Sequence, residues 1–292
     1  MRVLGIETSC DDTSAAVVSS GRILSNVVSS QIVLHRAFLG VVPELASRRH
    51  LADIVPVVER ALSDAGRGRL DAVAYTRGPG LMGPLLVGKV AALSLARLLG
   101  VPAVGVNHLE GHVLAAGLEH RLRWPMVCLV VSGGHTELVL VRSPGAYELL
   151  GQTRDDAAGE AFDKAARLLG LGYPGGQAIE GRAATGNPRA VQFPRPFLEG
   201  SWDFSFSGLK TSVLYHLRDH PGPMRGRRLA DLCASFQEAV AETLVEKTIA
   251  AARRFEVKDI VIGGGVAANS RLRVLMRRRA QAAGFAVRLP SR

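Results

Sequence analysis

Read from its N-terminus, the chain runs through one series of elements and then through the same series again, which limits its fold more than any other feature. Val3–Ile6, Ala15–Ser19 and Ile23–Ser30 are rich in Val and Ile with polar turns between them, so they predict a three-strand meander. A partial apolar stripe of Leu45, Ile54, Val57, Val58, Ala61 and Leu62 predicts a helix from about Pro43 to Ala65, with Pro56 placed to kink it. Strand Ala72–Tyr75, a Gly- and Pro-rich turn from Thr76 to Pro84, helix Leu85–Leu99 and strand Ala103–Val106 follow. After Trp124-Pro125 the series restarts, with Met126–Val131, Glu137–Val141 and Tyr147–Gly151 as the second meander. Helices follow, including a long one over Leu229–Arg254 whose Leu232, Phe236, Val240, Leu244 and Ile249 face a core, and then strand Asp259–Ile262, a helix and a strand. At 292 residues, 47% of them apolar, the chain is long enough for two such units, and the expected lobes are 1–123 and 124–292.

Two halves of the form β-β-β-α-β-α-β point by analogy to an α/β, actin-like (ASKHA) duplicated fold with a nucleotide between its lobes. Each half has a small-residue or hydroxyl-bearing turn after its first strand, and two such turns with free amides can hold an oligophosphate from opposite sides. In the first turn, Glu7-Thr8-Ser9-Cys10-Asp11-Asp12-Thr13, Asp11 could hold a cation, although Asp, Ser and Thr also suit ordinary turns. In the second, Gly133 and Gly134 let amides approach a phosphate and Ser132 adds a hydroxyl; a plain hairpin turn would look the same. The Thr76–Pro84 turn lacks the Gly-Lys-Ser/Thr ending of a Walker A loop.

Asp155–Gly170 reads as a capped helix stopped by Gly170, with Glu160 and Lys164 a minor surface pair. Asp163 on that helix is either a solvated acid or a partner for ribose hydroxyls. Tyr173–Glu180 forms a turn into another helix, and Asn187–Gly200 is a Pro-bearing loop. Phe204–Lys210 opens a helix with a serine near its cap. Gly263–Ser270 matches G-x-G-x-x-A, but a dinucleotide fold needs an acid about twenty residues later for the ribose, and no Asp or Glu follows Asp259. These glycines suit an adenine or sugar lying against bare backbone, with Asn269 offering an amide donor and acceptor.

Asn107-His108-Leu109-Glu110-Gly111-His112 places two imidazoles four residues apart after an apolar run. On a helix such residues have Cβ atoms about 5–6 Å apart, so two nitrogens can grip one metal ion with other positions left open. Two ordinary polar side chains would show the same spacing. A zincin hydrolase is disfavoured, because Glu110 is the third residue of the motif rather than the second. The net charge is +10, with arginines clustered at Arg225–Arg228, Arg253-Arg254 and Arg271–Arg279. Their planar forks suit phosphate, which admits a polyanionic partner, although arginine could equally be a general preference of the source. Arg48-Arg49-His50 is expected to be a solvated face. Cys10, Cys128 and Cys233 are far apart and form no CxxC, which fits small buried thiols in a reducing compartment. No uninterrupted apolar run approaches eighteen residues and Glu7 interrupts the N-terminus, so neither export nor a membrane span is expected, and the chain is placed in the cytoplasm.

Taken in order, Gly5–Thr13, Asn107–His112, Val131–Thr136, Asp156–Lys164, Tyr173–Gly176 and Gly263–Asn269 resemble the TsaD family of tRNA N6-adenosine threonylcarbamoyltransferases, formerly described as glycoproteases. The resemblance covers almost the whole chain. It implies transfer of threonylcarbamoyl from threonylcarbamoyl-adenylate to N6 of adenosine 37 in tRNAs reading codons that begin with A. It also implies iron (Fe2+) or zinc on His108 and His112, and adenylate contacts from Val130, Val131, Ser132, Gly133, Gly134, Asp163, Gly176, Glu180 and Asn269. Glu180 stands where the family commonly has Asp. The family's remaining metal carboxylate lies in a Thr-Asp-Asn segment just beyond Arg292, so two imidazoles alone should bind metal more weakly; a truncated sequence is the expectation rather than a new mechanism. Implied partners are tRNA, a paralogous actin-like subunit and a small ATPase. In the expected acyl transfer the metal polarises the carbamoyl group, the Ser132-Gly133-Gly134 amides stabilise the phosphate side, and Asp11 orients the donor or assists proton transfer. The rival expectations are an actin-like kinase or ATPase, which leaves the His pair idle, an inert scaffold and a metallopeptidase.

Overall fold

Strand-period alternation along Arg2–Glu7 buries Leu4 and Ile6 on one face of a sheet, and the same logic carries each element of the first half to one core. The computed structural model describes residues 1–196 and 200–291. Phe197, Leu198 and Glu199 of the expected Asn187–Gly200 loop lie outside the described residues, as does Arg292. The described chain divides into two compact units, Met1–Leu114 and Ala115–Arg292. The sequence reading set the boundary at 123/124.

In the first unit, β1 (Arg2–Glu7), β2 (Asp12–Ser19) and β3 (Arg22–Ser30) form the meander. A short α1 (Ile32–His35), α2 (Pro43–Asp64), β4 (Ala72–Gly78), α3 (Met82–Leu99), β5 (Ala103–Asn107) and α4 (His108–Leu114) follow. The sheet order is β3-β2-β1-β4-β5, antiparallel through the meander and parallel from β1 to β5. Leu4, Ile6, Val17, Ile54, Val57, Val73 and Ala92 share its core.

The second unit repeats this in β6 (Met126–Val131), β7 (Thr136–Ser143), β8 (Ala146–Gln152), α5 (Ala158–Leu168), α6 (Gly175–Ala183), α7 (Ser207–Asp219), α8 (Gly226–Arg254), β9 (Asp259–Gly263), α9 (Ser270–Ala282) and β10 (Ala286–Arg288). Its sheet, β8-β7-β6-β9-β10, matches the first strand for strand, with the same switch from antiparallel to parallel pairing at the first strand. Every residue of β6 is buried, because it is the central strand of a sheet covered on both faces. The duplication expected from sequence is therefore present in topology as well as in order.

Several local expectations are corrected. α2 spans Pro43–Asp64, close to the expected Pro43–Ala65, with Pro56 inside it. Arg48 and Arg49 are exposed, but His50 is fully buried: its Nδ1 lies 2.8 Å from Thr13 Oγ1 and its Nε2 3.0 Å from the Cys10 carbonyl, so it ties α2 to the β1–β2 turn. Cys128 and Cys233 are buried as expected, whereas Cys10 is exposed. α3 begins at Met82 rather than Leu85, and α5 at Ala158 rather than Asp155, with no side-chain cap on its Ala157 N-cap. Asp155 serves another helix, accepting from the Phe206 and Ser207 amides at 2.8 and 3.2 Å and from the Ser205 and Ser207 hydroxyls at the entry to α7. Lys164 reaches Asp156 at 2.5 Å as well as Glu160 at 2.9 Å, so that pair is a three-member cluster.

Candidate functional site

In the first unit the parallel strands β1, β4 and β5 end on one edge of the sheet, and three separate segments meet there. Pairing of Ile6 with Tyr75 and of Thr76 with Val106 sets Glu7, Thr76 and the start of α4 side by side. Asn107 starts that helix, its Oδ1 accepting from the Leu109 and Glu110 amides at 2.8 and 3.3 Å. One helical turn then stacks His112 over His108, with Nε2 atoms 3.1 Å apart, ring centroids 4.4 Å apart and planes at 70°. Glu7 Oε2 lies 3.1 Å from His108 Nδ1 and accepts from the Thr76 hydroxyl at 2.5 Å, while Glu7 Oε1 accepts from the Ser9 amide. Burial pushes the Glu7 carboxyl up, but hydrogen bonds from His108, Ser9 and Thr76 outweigh it and bring the pKa down to about 2.

This donor set fits two cis ligands of one metal ion. Imidazole nitrogens about 2.0–2.1 Å from a shared ion stand roughly 3–3.5 Å from each other, and a carboxylate on the far nitrogen is the usual support of such a ligand. Among the described residues no third His, Cys, Asp or Glu joins them.

Asp11 is half-buried, and its carbonyl accepts from the Gln31 amide at 2.9 Å. The next residue, Asp12, is the one with a buried carboxylate oxygen lacking a hydrogen-bond partner among the described residues, and burial pushes its carboxyl up. Sequence reasoning passed over Glu7, Thr76 and Asp12. An acid closing a buried apolar strand was the available signal for Glu7; nothing local marked Thr76.

In the second unit the residues singled out by sequence fall into local groups: the turn after β6 against the start of α5 and Gly264, Asp163 with the start of α6, and Glu180 with Asn269 at the start of α9. The turn after it is closed by the Ser132 amide on the His135 carbonyl at 2.8 Å and the His135 amide on Ser132 Oγ at 3.0 Å. Two glycines let neighbouring backbone approach this turn. A Cβ on Gly159, in the first turn of α5, would lie 2.6 Å from the Ser132 carbonyl and 2.7 Å from Gly133 Cα. Gly264 has φ +94°, and a Cβ there would lie 2.4 Å from the Val131 carbonyl. A Cβ on Gly133, Gly134 or Gly176 would meet nothing within 4 Å, so backbone at these positions is open to an incoming group.

Val130 and Val131 have fully buried side chains, so a ligand could meet only their backbone. Asp163 Oδ1 accepts from the Gly175 amide at 2.7 Å, which fixes the start of α6 beside Gly176. Glu180 Oε1 accepts from the Ser270 amide at 2.9 Å and from its hydroxyl. Asn269 Oδ1 caps α9 through the Leu272 amide at 3.0 Å, and its Nδ2 donates to Gln237 Oε1 at 2.9 Å and lies 3.5 Å from Glu180 Oε2. The structure thus brings Glu180 and Asn269 together from segments far apart in sequence, with much of their hydrogen-bonding capacity committed internally. The start of α5 packed against a turn with room at Gly133 and Gly134 makes a setting for an anion.

Residues 22–292 match the family model described as TsaD, tRNA N6-adenosine threonylcarbamoyltransferase. Proteins named tRNA N6-adenosine threonylcarbamoyltransferase from Anaeromyxobacter dehalogenans (strain 2CP-C) and Endomicrobium trichonymphae are 58% and 53% identical, spanning 99% and 100% of this chain and 88% and 87% of their own lengths. Among solved structures, HypF from T. kodakarensis superposes with a TM-score of 0.65 at 16% identity, over 99% of this chain and 45% of that longer one. Component A of the Acidaminococcus fermentans (R)-2-hydroxyglutaryl-CoA dehydratase does so at 0.56 and 14% identity, over 99% and 91%. These likenesses carry the fold, which is the actin-like α/β duplication.

Proposed function

Because the chain belongs to the tRNA N6-adenosine threonylcarbamoyltransferase family and modifies tRNA by threonylcarbamoyl transfer, we propose that its donor is threonylcarbamoyl-adenylate and its target N6 of adenosine 37 in tRNAs reading codons that begin with A. The reading is carried by the 3.1 Å approach of His108 and His112, supported by Glu7 at the strand ends of the first unit. These two imidazoles would hold iron or zinc, which when bound supplies Lewis-acid polarisation of an acyl oxygen.

The chain's own residues do the rest. The open backbone of Gly133 and Gly134 would receive the adenylate phosphate, with Ser132 holding the turn in shape. Gly176 at the start of α6 would lie against the nucleoside, and Asp163 fixes that helix start. Glu180 and Asn269, bonded to Ser270 and Leu272, would line the position of sugar and base. In the β1–β2 turn Asp11 would orient the acyl group, and Asp12, with its partnerless buried oxygen, has the character of the proton acceptor for the attacking amine.

Protein partners of the actin-like and ATPase kinds remain part of this proposal, in a cytoplasmic setting. One helix, α3, is apolar and long enough for a membrane span by length and composition, yet its small residues pack within the first unit, Gly83 against Ser47 and Gly88 against Thr8. Its other side exposes Met82, Leu86, Val90 and Leu93, and α2 exposes Leu51 and Val55. Such a face supports docking of another protein. For tRNA, Arg277 and Arg278 of α9 are exposed, while Arg271 pairs with Glu238 and Arg273 donates to the Ala267 and Pro290 carbonyls.

The deciding experiment measures threonylcarbamoyl-adenosine formation on tRNA by His108→Ala and His112→Ala variants, with metal content determined on the same samples. Loss of both product and metal is expected. Undiminished transfer refutes the metal role. A kinase reading gains nothing from the His pair, and ATP turnover with sugars but no tRNA product would be its sign.

A further inference from the structure

We infer that Glu7 is a positioning residue: its carboxylate holds His108 in the tautomer that keeps the proton on Nδ1 and turns the Nε2 lone pair toward a metal ion. The inference rests on the proposed metal role of the His pair and adds a residue that none of the motif reasoning assigned.

Glu7 takes a hydrogen bond from the Ser9 amide on one oxygen and from the Thr76 hydroxyl on the other, so it faces its surroundings as an acceptor. The next atom within reach of Oε2, at 3.1 Å, is His108 Nδ1. An acceptor there requires hydrogen on Nδ1, which leaves the Nε2 side, 3.1 Å from His112 Nε2, to accept rather than donate. Ser9 Oγ also lies near Nδ1, at 3.3 Å, but a hydroxyl donates or accepts with equal ease and cannot select a tautomer. Without the carboxylate, the proton could move to Nε2 and occupy the position where an ion would be gripped. A ligating imidazole is commonly held this way, and loss of the supporting group costs roughly 10- to 100-fold in metal affinity.

A purely structural role for Glu7, tying β1 to β4 through Thr76, is the competing account, and the two differ in what they predict. The test is zinc affinity of the metal-free chain by chelator competition, together with 15N chemical shifts of labelled histidine, for wild type, Glu7→Gln, Glu7→Ala and Thr76→Val. Positioning predicts that Glu7→Gln weakens zinc about 10-fold and Glu7→Ala by up to about 100-fold. It also predicts loss of the Nδ1-protonated signature of His108 in Glu7→Ala. Thr76→Val removes one of the two hydrogen bonds that orient the Glu7 carboxylate but leaves the carboxylate itself, so it should lower the melting temperature, weaken zinc less than Glu7→Ala does and keep His108 protonated on Nδ1. Glu7 variants that bind zinc like wild type, with His108 still protonated on Nδ1, overturn the inference. If wild type binds zinc no better than His108→Ala and His112→Ala, the metal reading beneath it falls instead.

Discussion

Gly159→Ala tests whether the turn after β6 and the start of α5 are fitted to each other. The added methyl carbon would lie 2.6 Å from the Ser132 carbonyl oxygen, 2.7 Å from Gly133 Cα and 3.0 Å from Gly133 N. Carbon–carbon contacts are most favourable at about 3.5–4.0 Å, so turn and helix must separate by roughly 0.8 Å. All three obstacles are backbone, with no flexible side-chain end to swing aside. Overpacking of this kind costs about 1–3 kcal/mol. Alanine's helical advantage over glycine, at most about 1 kcal/mol in a helix interior and less in the first turn, offsets part of it. A net loss of about 1–2 kcal/mol is expected, which for a unit of this size lowers the melting temperature by about 2–8 °C.

The same shift carries Gly133 away from the position proposed for the adenylate phosphate, so binding of an unreactive threonylcarbamoyl-adenylate analogue should weaken as well. Gly133→Ala is the companion variant. Its Cβ has open space, so stability should stay within about 0.5 kcal/mol of wild type, as at an uncrowded site, while analogue affinity falls because the methyl group fills the approach to the amides. Calorimetric melting and equilibrium binding on both variants decide the matter. A Gly159→Ala protein as stable as wild type refutes the close fit, and a Gly133→Ala protein that binds normally refutes the phosphate assignment.

Burial pushes the Asp155 carboxyl up, but hydrogen bonds from Ser205, Phe206 and Ser207 outweigh it and hold its pKa below the ordinary carboxylate value. Its stabilisation is therefore fully present above about pH 4 and is lost as pH falls through the lower folded value. Asp155→Ala should cost about 1 kcal/mol near neutrality, as loss of a helix-start acceptor does, and flatten the acid limb of the stability curve in urea titrations. An unchanged acid limb would contradict the assigned role. Leu86→Asp and Val90→Asp change exposed positions on α3, so the isolated chain should keep its stability within about 0.5 kcal/mol while co-purification with an actin-like partner is lost; retained assembly in sedimentation would remove that face from consideration. Affinity for tRNA should fall steeply with salt, by about 0.9 log unit per log unit of salt for each duplex phosphate contacted, and a flat response in filter binding would exclude phosphate-led recognition.

Much of this protein was determined by local sequence. Strand boundaries such as Met126–Val131 follow from unbroken apolar runs between turn residues, and the duplication follows from their order, because periodicity and breakers act over a few residues at a time. The His108–His112 pairing was legible for the same reason, since helical spacing alone stacks the rings. What sequence could not decide depends on contacts between distant segments. His50 reads as part of a basic tract until the β1–β2 turn closes over it. Asp155 reads as a cap for the helix it precedes until α7, some fifty residues on, takes its carboxylate. Glu7 acquires its role only because parallel pairing of β1, β4 and β5 ends three strands on one edge, beside a histidine a hundred residues away. Spacing along the chain sets which side chains share a face, but only tertiary pairing sets which face they meet, and a carboxylate's chemistry is fixed by what it meets.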